Sequence, residues 1–265
     1  MTTPHVPLRL EFSVEVPGTP EQVWDAIATA HGITAWMMPT ELEEREGGAV
    51  VFHMGPDSSS EGTVVRWDPP HRLVYEEPGW AELVDQDPTT VTPLASEFLV
   101  EATSGGTCVV KVVSSAFGIG ADWEREFFDE MAKGWMPMFD HLRLYLTHFP
   151  GQRVTPFEAI VDVTTDPATA VATIRGALGV EEAGSPVSVL GAKAEVERIG
   201  DNNVLLRLTE PVPGLVSFFA YQPPDATQVR LGGYLFSDDA PAYVEREALA
   251  WQGWLEDVLS SSVVR

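Results

Sequence analysis

The chain has 265 residues, enough for one large domain or two of ordinary size, and 44% of them are hydrophobic, so it can bury a substantial core. It carries 40 acidic and 16 basic residues, and the resulting formal charge of −24 at pH 7 argues against polyanionic partners such as nucleic acids and anionic membranes. The single cysteine, Cys108, excludes an intrachain disulfide, and the absence of a signal peptide and of any long apolar run leads us to expect a cytoplasmic protein without membrane insertion.

The first predicted elements are a half-buried strand and a capped helix. Residues 8–16 alternate apolar and polar side chains, as a strand with one buried face does. Thr19 is then a favourable N-cap, Pro20 suits the first helical position, and Gln22 completes a capping box. The pattern predicts that Gly32 ends this helix and that a short second helix holds residues 34–38.

The next part of the chain predicts an antiparallel meander. Its apolar runs are short and are separated by turns rich in Pro, Asp and Ser, and they lie at residues 50–54, 63–67 and 72–76. Two further runs, 96–103 and 107–115, flank Ser104-Gly105-Gly106 and predict a hairpin. The intervening segment 77–94 contains Trp80 and many Pro, Asp and Thr residues, and we expect a strand followed by a long loop near the mouth of a cavity.

A long aromatic helix is predicted after the hairpin. Large apolar side chains recur there at spacings of three or four residues, namely Trp123, Phe127, Met131, Trp135, Phe139 and Leu142. Because proline removes a backbone hydrogen bond and clashes with the preceding turn, Pro137 predicts a kink near Gly134. A helix, a meander and a long closing helix together predict a sheet curled around one helix, with a hollow between them.

The element order and the residues at its caps and turns resemble the START-like superfamily, and within it the domain family named for the activator of the Hsp90 ATPase. The matching positions span about residues 8–149 and are Val14-Glu15-Val16, Thr19 to Trp24, Trp36, Gly47-Gly48, Gly62, Asp68 to Tyr75, Gly134-Trp135, Leu142 and Tyr145-Leu146. The resemblance implies an α+β helix-grip fold for residues 1–149, with a curved antiparallel sheet around a long C-terminal helix. Because the matching residues are caps, turns and core positions, it implies the fold more specifically than the function.

The pattern restarts after the aromatic helix and indicates a second, tandem copy. Val161-Asp162-Val163 repeats Val14-Glu15-Val16, and Asp166-Pro167 repeats Thr19-Pro20 at the same spacing. Strand-like runs follow, and a closing helix repeats the spacing of the aromatic stripe with Trp251, Leu255 and Val258. We therefore expect a shorter, diverged helix-grip-like domain at residues 150–265 with a smaller or filled cavity; an unrelated α+β domain with this element order is the alternative.

Sequence motifs for metal, phosphate or nucleophile chemistry are missing. The 6 histidines have no metal-ligand spacing and no cysteine partners, and no phosphate-binding glycine loop or Gly-x-Ser-x-Gly motif occurs. We therefore expect no metal and no cofactor, and a binding protein rather than an enzyme. The weak candidates for acid or base catalysis are His53 and Glu97. An inward Glu97 side chain would have a raised pKa, but an outward orientation on its alternating strand is favoured.

The aromatic and methionine side chains indicate a binding hollow. These residue types offer large, adaptable apolar contacts with little directional demand, although a place in the packed core is the simpler alternative for each one alone. We expect a ligand to lie against Met131 and Trp135. The full set of predicted ligand-binding residues is Trp36, Met38, His53, Trp80, Trp123, Phe127, Met131 and Trp135.

Three functions follow from the residues and the resemblance. The first is binding of a small hydrophobic or amphipathic molecule between the sheet and the closing helix of the N-terminal copy. The second, implied by the family name, is a co-chaperone or stress-response interaction role, with a chaperone or a second copy of this chain as partner. Because the sequence lacks the Asn-Asn-Trp-His-Trp motif of the activator proteins, stimulation of the chaperone's ATPase is not expected. The third is a cavity-based enzyme of the cyclase, dehydratase or hydrolase type that uses Glu97 or His53.

Overall fold

The computed structural model describes residues 6–55, 58–222 and 226–260, and the chain divides into two compact units, Met1–Gly151 and Gln152–Arg265. Each unit is an antiparallel sheet followed by a long helix. Residues 56 and 57, which belong to the first predicted turn of the meander, lie outside the described residues.

The N-terminal unit begins with strand β1 (Val6–Pro17) and two short helices, α1 (Pro20–Ala28) and α2 (Ala30–Thr34). The meander that follows consists of β2 (Thr40–Leu42), β3 (Ala49–Gly55), β4 (Ser58–Asp68), β5 (Arg72–Glu77), β6 (Leu94–Ala102) and β7 (Thr107–Gly118). Helix α3 (Asp122–His148) closes the unit. The strands form a 7-stranded sheet in the order β1-β7-β6-β5-β4-β3-β2, so the first strand pairs with the last.

Burial alternates along the central strands of this sheet. On β5 the buried side chains are Leu73, Tyr75 and Glu77, and on β6 they are Leu94, Ser96, Phe98 and Val100. We call the face that carries them the inner face; the ring of Phe98 meets that of Trp135 on α3 from this side. A sheet that holds a long helix against its inner face confirms the predicted helix-grip fold for this unit.

The two short helices correct two predicted boundaries, because α1 ends before Gly32 and α2 ends where the second helix was expected to begin. The capping box is present, because Thr19 N–H donates to the Gln22 side chain over 2.9 Å and Gln22 N–H donates to Thr19 Oγ1 over 3.4 Å. Helix α1 nevertheless ends before Thr29, which is extended and caps α2 by accepting from Gly32 N–H over 3.0 Å. Gly32 therefore lies inside α2, where an added Cβ would come within 2.0 Å of the Asp25 carbonyl oxygen. Glycine is required there for the close approach of the two helices.

The segment between β5 and β6 contains no further strand, so that part of the prediction is wrong. It holds two 3-10 helices, Trp80–Val84 and Pro88–Thr90. Thr92 ties the segment to β7, because its N–H donates to the Phe117 carbonyl over 2.9 Å and its hydroxyl accepts from Phe117 N–H over 2.8 Å. These bonds hold the segment against the end of the sheet.

Helix α3 runs without a break through Pro137. Its first turn is fixed by Glu124, whose buried carboxylate accepts the backbone N–H groups of Ile119 over 2.8 Å and Gly120 over 2.9 Å. The kink predicted near Gly134 stays a prediction.

The C-terminal unit repeats this order with one strand fewer. Its elements are β8 (Thr155–Val163), α4 (Pro167–Leu178), β9 (Pro186–Val189), β10 (Ala192–Ile199), β11 (Asn203–Glu210), β12 (Gly214–Tyr221), β13 (Thr227–Leu235) and α5 (Ala240–Leu259). The strand order is β8-β13-β12-β11-β10-β9, so the first strand again pairs with the last. The tandem repetition predicted from the sequence is confirmed by this topology.

Apolar side chains pack between the sheet and the helices of the C-terminal unit. The buried cluster includes Trp251 and Leu255 of α5, the residues of the predicted stripe. At the edge of the sheet, the Gln252 amide bonds the backbone of Ile160 in both directions, accepting from its N–H and donating to its carbonyl, each over 3.3 Å. Gln252 thus occupies backbone groups that an edge strand would otherwise offer to another strand.

We expect Gly134→Ala to stabilise the N-terminal unit by about 1 kcal/mol, the usual cost of glycine in a helix interior. A Cβ at Gly134 would meet no atom within 4 Å, so the gain in helix propensity carries no steric cost. Urea unfolding followed by hydrogen exchange and mass spectrometry, which separates the two units, measures the effect. Gly62→Ala is the control and should destabilise, since its Cβ would lie 2.7 Å from the Glu76 carbonyl oxygen. No gain from Gly134→Ala would mean that α3 is irregular at this turn.

Candidate functional site

The inner face of the N-terminal sheet carries a buried carboxyl group. Glu77 ends β5 and is 9% exposed, and the Ser60 hydroxyl on β4 donates to its carboxylate over 2.5 Å. Gly62 allows this approach, because a Cβ there would lie 3.1 Å from Glu77 Cγ. Among the described residues, no Lys, Arg or His forms an ion pair with Glu77.

A second polar group lies two residues earlier on the same strand. The Tyr75 hydroxyl hydrogen-bonds to Ser96, and Ser96 Oγ lies 3.3 Å from Ser114 Oγ. Strands β4 to β7 therefore place a continuous polar stripe across the inner face. Its members are all buried and are Ser60, Glu77, Tyr75, Ser96 and Ser114.

Burial changes the acidity of both titratable groups in the polar stripe. Desolvation raises the pKa of Glu77 to about 7, and the hydrogen bond from Ser60 offsets only part of this rise. Desolvation also raises the pKa of Tyr75 well above its ordinary value, and the nearby charge of Glu77 adds to the effect. A carboxyl group that titrates near pH 7 can give or take a proton under physiological conditions.

An apolar void adjoins the polar stripe. It is a narrow packing gap bounded by Ile27, Ile33, Trp36, Met37, Phe52, Tyr75 and Phe98. Phe52 pairs across the sheet with Ser60, and Tyr75 is two residues from Glu77 on the same face, so the void and the carboxyl group share neighbours. The void is too narrow to hold a water molecule, which means that the hollow is closed in this structure.

Aromatic and aliphatic side chains fill the end of the hollow next to the 3-10 segment, and we call them the Trp80 cluster. The Trp80 side chain is fully buried, its ring centroid lies 5.4 Å from that of Trp123 and 4.8 Å from that of Phe127, and its indole N–H donates to the Thr92 carbonyl over 2.9 Å. The cluster lies beside the carboxyl group, because Glu77 pairs across the sheet with one of its members, Leu94. The other side chains of the cluster are Leu8, Leu10, Val91, Ala116, Phe128 and Met131.

Most of the predicted ligand-binding residues lie either at the apolar void or in the Trp80 cluster. Trp36 borders the void, and the Trp135 ring lies 5.9 Å from that of Phe98, which also borders it. Met37, rather than the predicted Met38, lines the void. The remaining inner-face members of the predicted set belong to the Trp80 cluster and are Trp80, Trp123, Phe127 and Met131.

The two acid-base candidates lie on the opposite face of the sheet. Glu97 alternates with the buried Ser96 and Phe98 and pairs with Arg72 over 2.6 Å. His53 follows the buried Phe52, and its Nε2 lies 3.1 Å from the Glu41 carboxylate. Because successive side chains of a strand point to opposite faces, neither group can reach a molecule held between the inner face and α3.

Glu77 is the residue that the sequence patterns did not single out, although a signal for it exists. In the strand Arg72–Glu77, Leu73 and Tyr75 are apolar at alternate positions, and the two-residue period places Glu77 on their face. Glutamate at the end of a strand, next to a second glutamate and followed by proline, is more often exposed to solvent. The period was therefore the only sequence indication that Glu77 faces inward.

The N-terminal unit matches a protein-family model. Residues 17–147 match the model described as Activator of Hsp90 ATPase homolog 1-like protein. The N-terminal unit belongs to this family. The matched range of this activator-like unit begins at the end of β1 and reaches the last turn of α3, and it contains the whole polar stripe.

Several solved structures share parts of the architecture at low similarity. Protein MLL2253 from Mesorhizobium loti is 20% identical, with 54% of this chain and 98% of that chain covered and a TM-score of 0.45. The Aha1 protein of Colwellia psychrerythraea is 14% identical, covering 52% and 97%, with a TM-score of 0.41. The di-domain ARO/CYC protein BexL of the BE-7585A biosynthetic pathway is 13% identical, covering 95% and 98%, with a TM-score of 0.44. At these values the neighbours carry no argument about what the activator-like unit binds.

No curated protein matches the sequence of this chain. In the described part of the chain, no three His, Cys, Asp or Glu side chains converge as a metal site requires. Within the same ranges, no helix has both the length and the apolarity needed to cross a bilayer.

Proposed function

We propose that the N-terminal unit binds a small hydrophobic or amphipathic molecule between the inner face and α3, with the Glu77 carboxyl group at the polar end of the site. The observation that carries this proposal is the buried Ser60–Glu77 pair, which lies beside an apolar void and an aromatic cluster. A hollow lined by apolar side chains, with few polar groups directed into it, is the common form of a small-molecule site.

The energetic cost of Glu77 supports a functional role. A pKa of about 7, compared with 4.5 for an ordinary glutamate, corresponds to about 3 kcal/mol of lost stability once the folded unit is ionised. An apolar residue at this position would avoid that cost. Ionisable groups with perturbed pKa values beside a cavity are typical of functional sites, because folding alone does not require them.

Binding requires the hollow to widen, since the void has no room for a water molecule. Phe127 and Met131 are half-buried at the margin of the Trp80 cluster, and both belong to α3. Their outward displacement would open space between α3 and the sheet while the rings of the cluster remained available as contacts. Methionine is suited to such a change because its flexible side chain adapts to different shapes.

Two measurements on the full chain test the proposal. Native mass spectrometry of the purified protein would detect a small molecule that remains bound, and titration with the neutral apolar dye Nile red would measure binding to the hollow. We expect one saturable Nile red site per chain. The proposal fails if no small molecule accompanies the protein and Nile red shows no saturable binding.

We expect Met131→Glu to weaken Nile red binding at least tenfold while leaving the unit folded. The Met131 side chain is half-buried, so a carboxylate there can reach solvent in the free protein, yet it would lie beside an apolar ligand in the complex. Met136→Glu is the matched control, because Met136 lies on the same helix and is 50% exposed. Equal effects of the two variants on binding, or unfolding by Met131→Glu alone, would show that the stripe is packed core without a ligand site.

A co-chaperone role is the second candidate, and the description of the matching family model is what favours it. Self-association of the chain belongs to the same class of interaction function. A pull-down with Hsp90, combined with an ATPase assay of the chaperone, tests this role independently of Nile red binding. Stable capture of the chaperone together with absent dye binding would favour it over small-molecule binding.

We further propose that residues 150–265 are a diverged copy whose interior serves stability. The fully buried Trp251 and Leu255 of α5 repeat the four-residue spacing of Trp135 and Phe139 on α3. We expect the single Nile red site to be retained when the C-terminal core is altered conservatively, for example by Leu255→Met.

A further inference from the structure

We infer that the ligand of the N-terminal unit is an organic amine, that is, an apolar and preferably aromatic body with a protonated primary or secondary amino group that binds the Glu77 carboxylate. This inference rests on the proposed function and adds the chemical class of the ligand. It follows from three features of the site: a carboxyl group without a cationic partner, the aromatic rings around it, and the charge of the whole chain.

The first feature is the missing cation. Among the described residues, Ser60 is the side chain that hydrogen-bonds to Glu77, and no Lys, Arg or His pairs with it. The other buried titratable groups of this unit supply no positive charge. Burial lowers the pKa of His141 to about 4, so its ring is neutral at pH 7, and the remaining members are Tyr75, Cys108, Glu124 and Tyr145.

An ammonium group supplies what the protein lacks. An ionised carboxylate in a dry hollow is stabilised only by hydrogen-bond donors or by an opposite charge. Ser60 provides one donor, and a primary or secondary amine provides further N–H donors together with the positive charge. Binding of such an amine would therefore convert the destabilising group of the free protein into half of an ion pair.

The second feature is the arrangement of rings on both sides of Glu77. Tyr75 is on the same face two residues away, and its centroid lies 5.1 Å from that of Phe52 and 6.1 Å from that of Phe98. On the other side, Leu94 is the cross-strand partner of Glu77 and belongs to the Trp80 cluster. Aromatic faces attract ammonium groups where water is excluded, and they provide apolar contact for the body of the ligand. An anionic ligand would instead meet both the Glu77 carboxylate and the negative ring faces.

The third feature is the formal charge of −24, which concentrates cations near the surface and repels anions. This effect acts on every cation, so it favours the association of cations in general but does not select an organic amine among them. The test must therefore separate the contribution of Glu77 from that of the general acidity.

Calorimetric titration of the full chain with 2-phenylethylamine and 2-phenylethanol provides this separation, since both carry the same aromatic body. At pH 8 we expect the amine to bind at least about tenfold more tightly than the alcohol. Because the pKa of free Glu77 is about 7 and its proton must leave before an ion pair forms, the affinity for the amine should fall about tenfold per pH unit below pH 6. The affinity for the alcohol should not show this fall.

Two variants make the result specific. Glu77→Gln keeps the shape of the side chain and should abolish the preference for the amine, while binding of the alcohol and of Nile red continues. Glu97→Gln removes one negative charge from the outer face and should retain the preference. A preference that survives in Glu77→Gln, or equal binding of amine and alcohol by the wild type, overturns the inference but leaves the proposed function standing. If neither compound nor Nile red binds the wild type and no small molecule accompanies the purified protein, the inference and the proposed function fail together.

Discussion

Replacing Glu77 with glutamine should make the N-terminal unit more stable at pH 8, by up to about 3 kcal/mol, and should remove the part of its pH dependence that Glu77 causes. The pKa of a solvated glutamate is 4.5, and that of Glu77 in the folded unit is about 7, so the folded unit holds the proton more tightly than the unfolded chain does. The stabilisation by this proton is complete below pH 4.5, decreases by up to about 1.4 kcal/mol per pH unit between the two pKa values, and is lost above pH 7. Glutamine carries no charge and avoids this loss.

The experiment measures the free energy of unfolding of the N-terminal unit from pH 5 to pH 8, using hydrogen exchange to separate the two units. Exposed carboxyl groups with lowered pKa values, such as those of Glu11, Glu21 and Asp87, change stability in the opposite direction at lower pH. Burial lowers the pKa of His141 from 6.5 to about 4, so the unfolded chain binds a proton there that the folded unit does not, and stability falls as pH decreases below about 6.5. The contribution of Glu77 is therefore measured as the difference between wild type and Glu77→Gln. Glu97→Gln makes the same chemical change on the outer face and should give no gain at pH 8. If the difference in stability between Glu77→Gln and wild type stays the same from pH 5 to pH 8, the Glu77 carboxyl group is not desolvated in the folded unit.

The second large effect is expected for Trp80→Ala, which should destabilise the N-terminal unit by about 3–5 kcal/mol. Trp80 is fully buried, packs against Trp123, Phe127 and Phe128, and donates its indole N–H to the Thr92 carbonyl. Removing it leaves a cavity and an unsatisfied carbonyl group, and it removes one of the contacts that hold the 3-10 segment against the sheet. Urea unfolding monitored by hydrogen exchange of α3 and β7 measures the loss.

Trp80→Phe is the companion variant. It keeps an aromatic ring in the cluster but loses the hydrogen bond to Thr92, so it should cost clearly less than alanine, about 1–2 kcal/mol. If Trp80 also restricts access to the hollow, Nile red should associate faster with the phenylalanine variant than with the wild type. A loss below about 1 kcal/mol for Trp80→Ala would show that the neighbouring rings collapse into the space and that the segment is held by other contacts.

The fold was predictable because its signals are local. The capping box at Thr19, the alternating strands and the three- or four-residue spacing of the aromatic stripe each depend on residues close in sequence. The repeat was predictable because Asp166-Pro167 performs the same capping function as Thr19-Pro20. The break at Thr29 was not, since it depends on how α2 packs against the Asp25 carbonyl, a contact made possible by Gly32.

The site was less predictable because it depends on which face of the sheet each side chain occupies and on how deeply that side chain is buried. Composition and periodicity identified the rings of the Trp80 cluster, but they could not show that the hollow is closed around a narrow void. They directed attention to Glu97 and His53, whose side chains turn outward, and away from Glu77, whose carboxyl group is buried. The pKa of a carboxyl group depends on desolvation, and desolvation depends on which residues pack over it. That information is absent from the local sequence.

The pairing of first and last strands in each sheet has a consequence for biosynthesis. Strand β1 pairs with β7 from Val6 opposite Gly118 to Pro17 opposite Thr107, so it has no partner until most of the unit has left the ribosome. Pairings that close such long loops are slow compared with hairpin formation. Strand β8 is synthesised soon afterwards and has the same role in its own sheet, where it pairs with β13. Closure of the first sheet before Thr155–Val163 emerges thus removes a competing strand and limits exchange between the two copies.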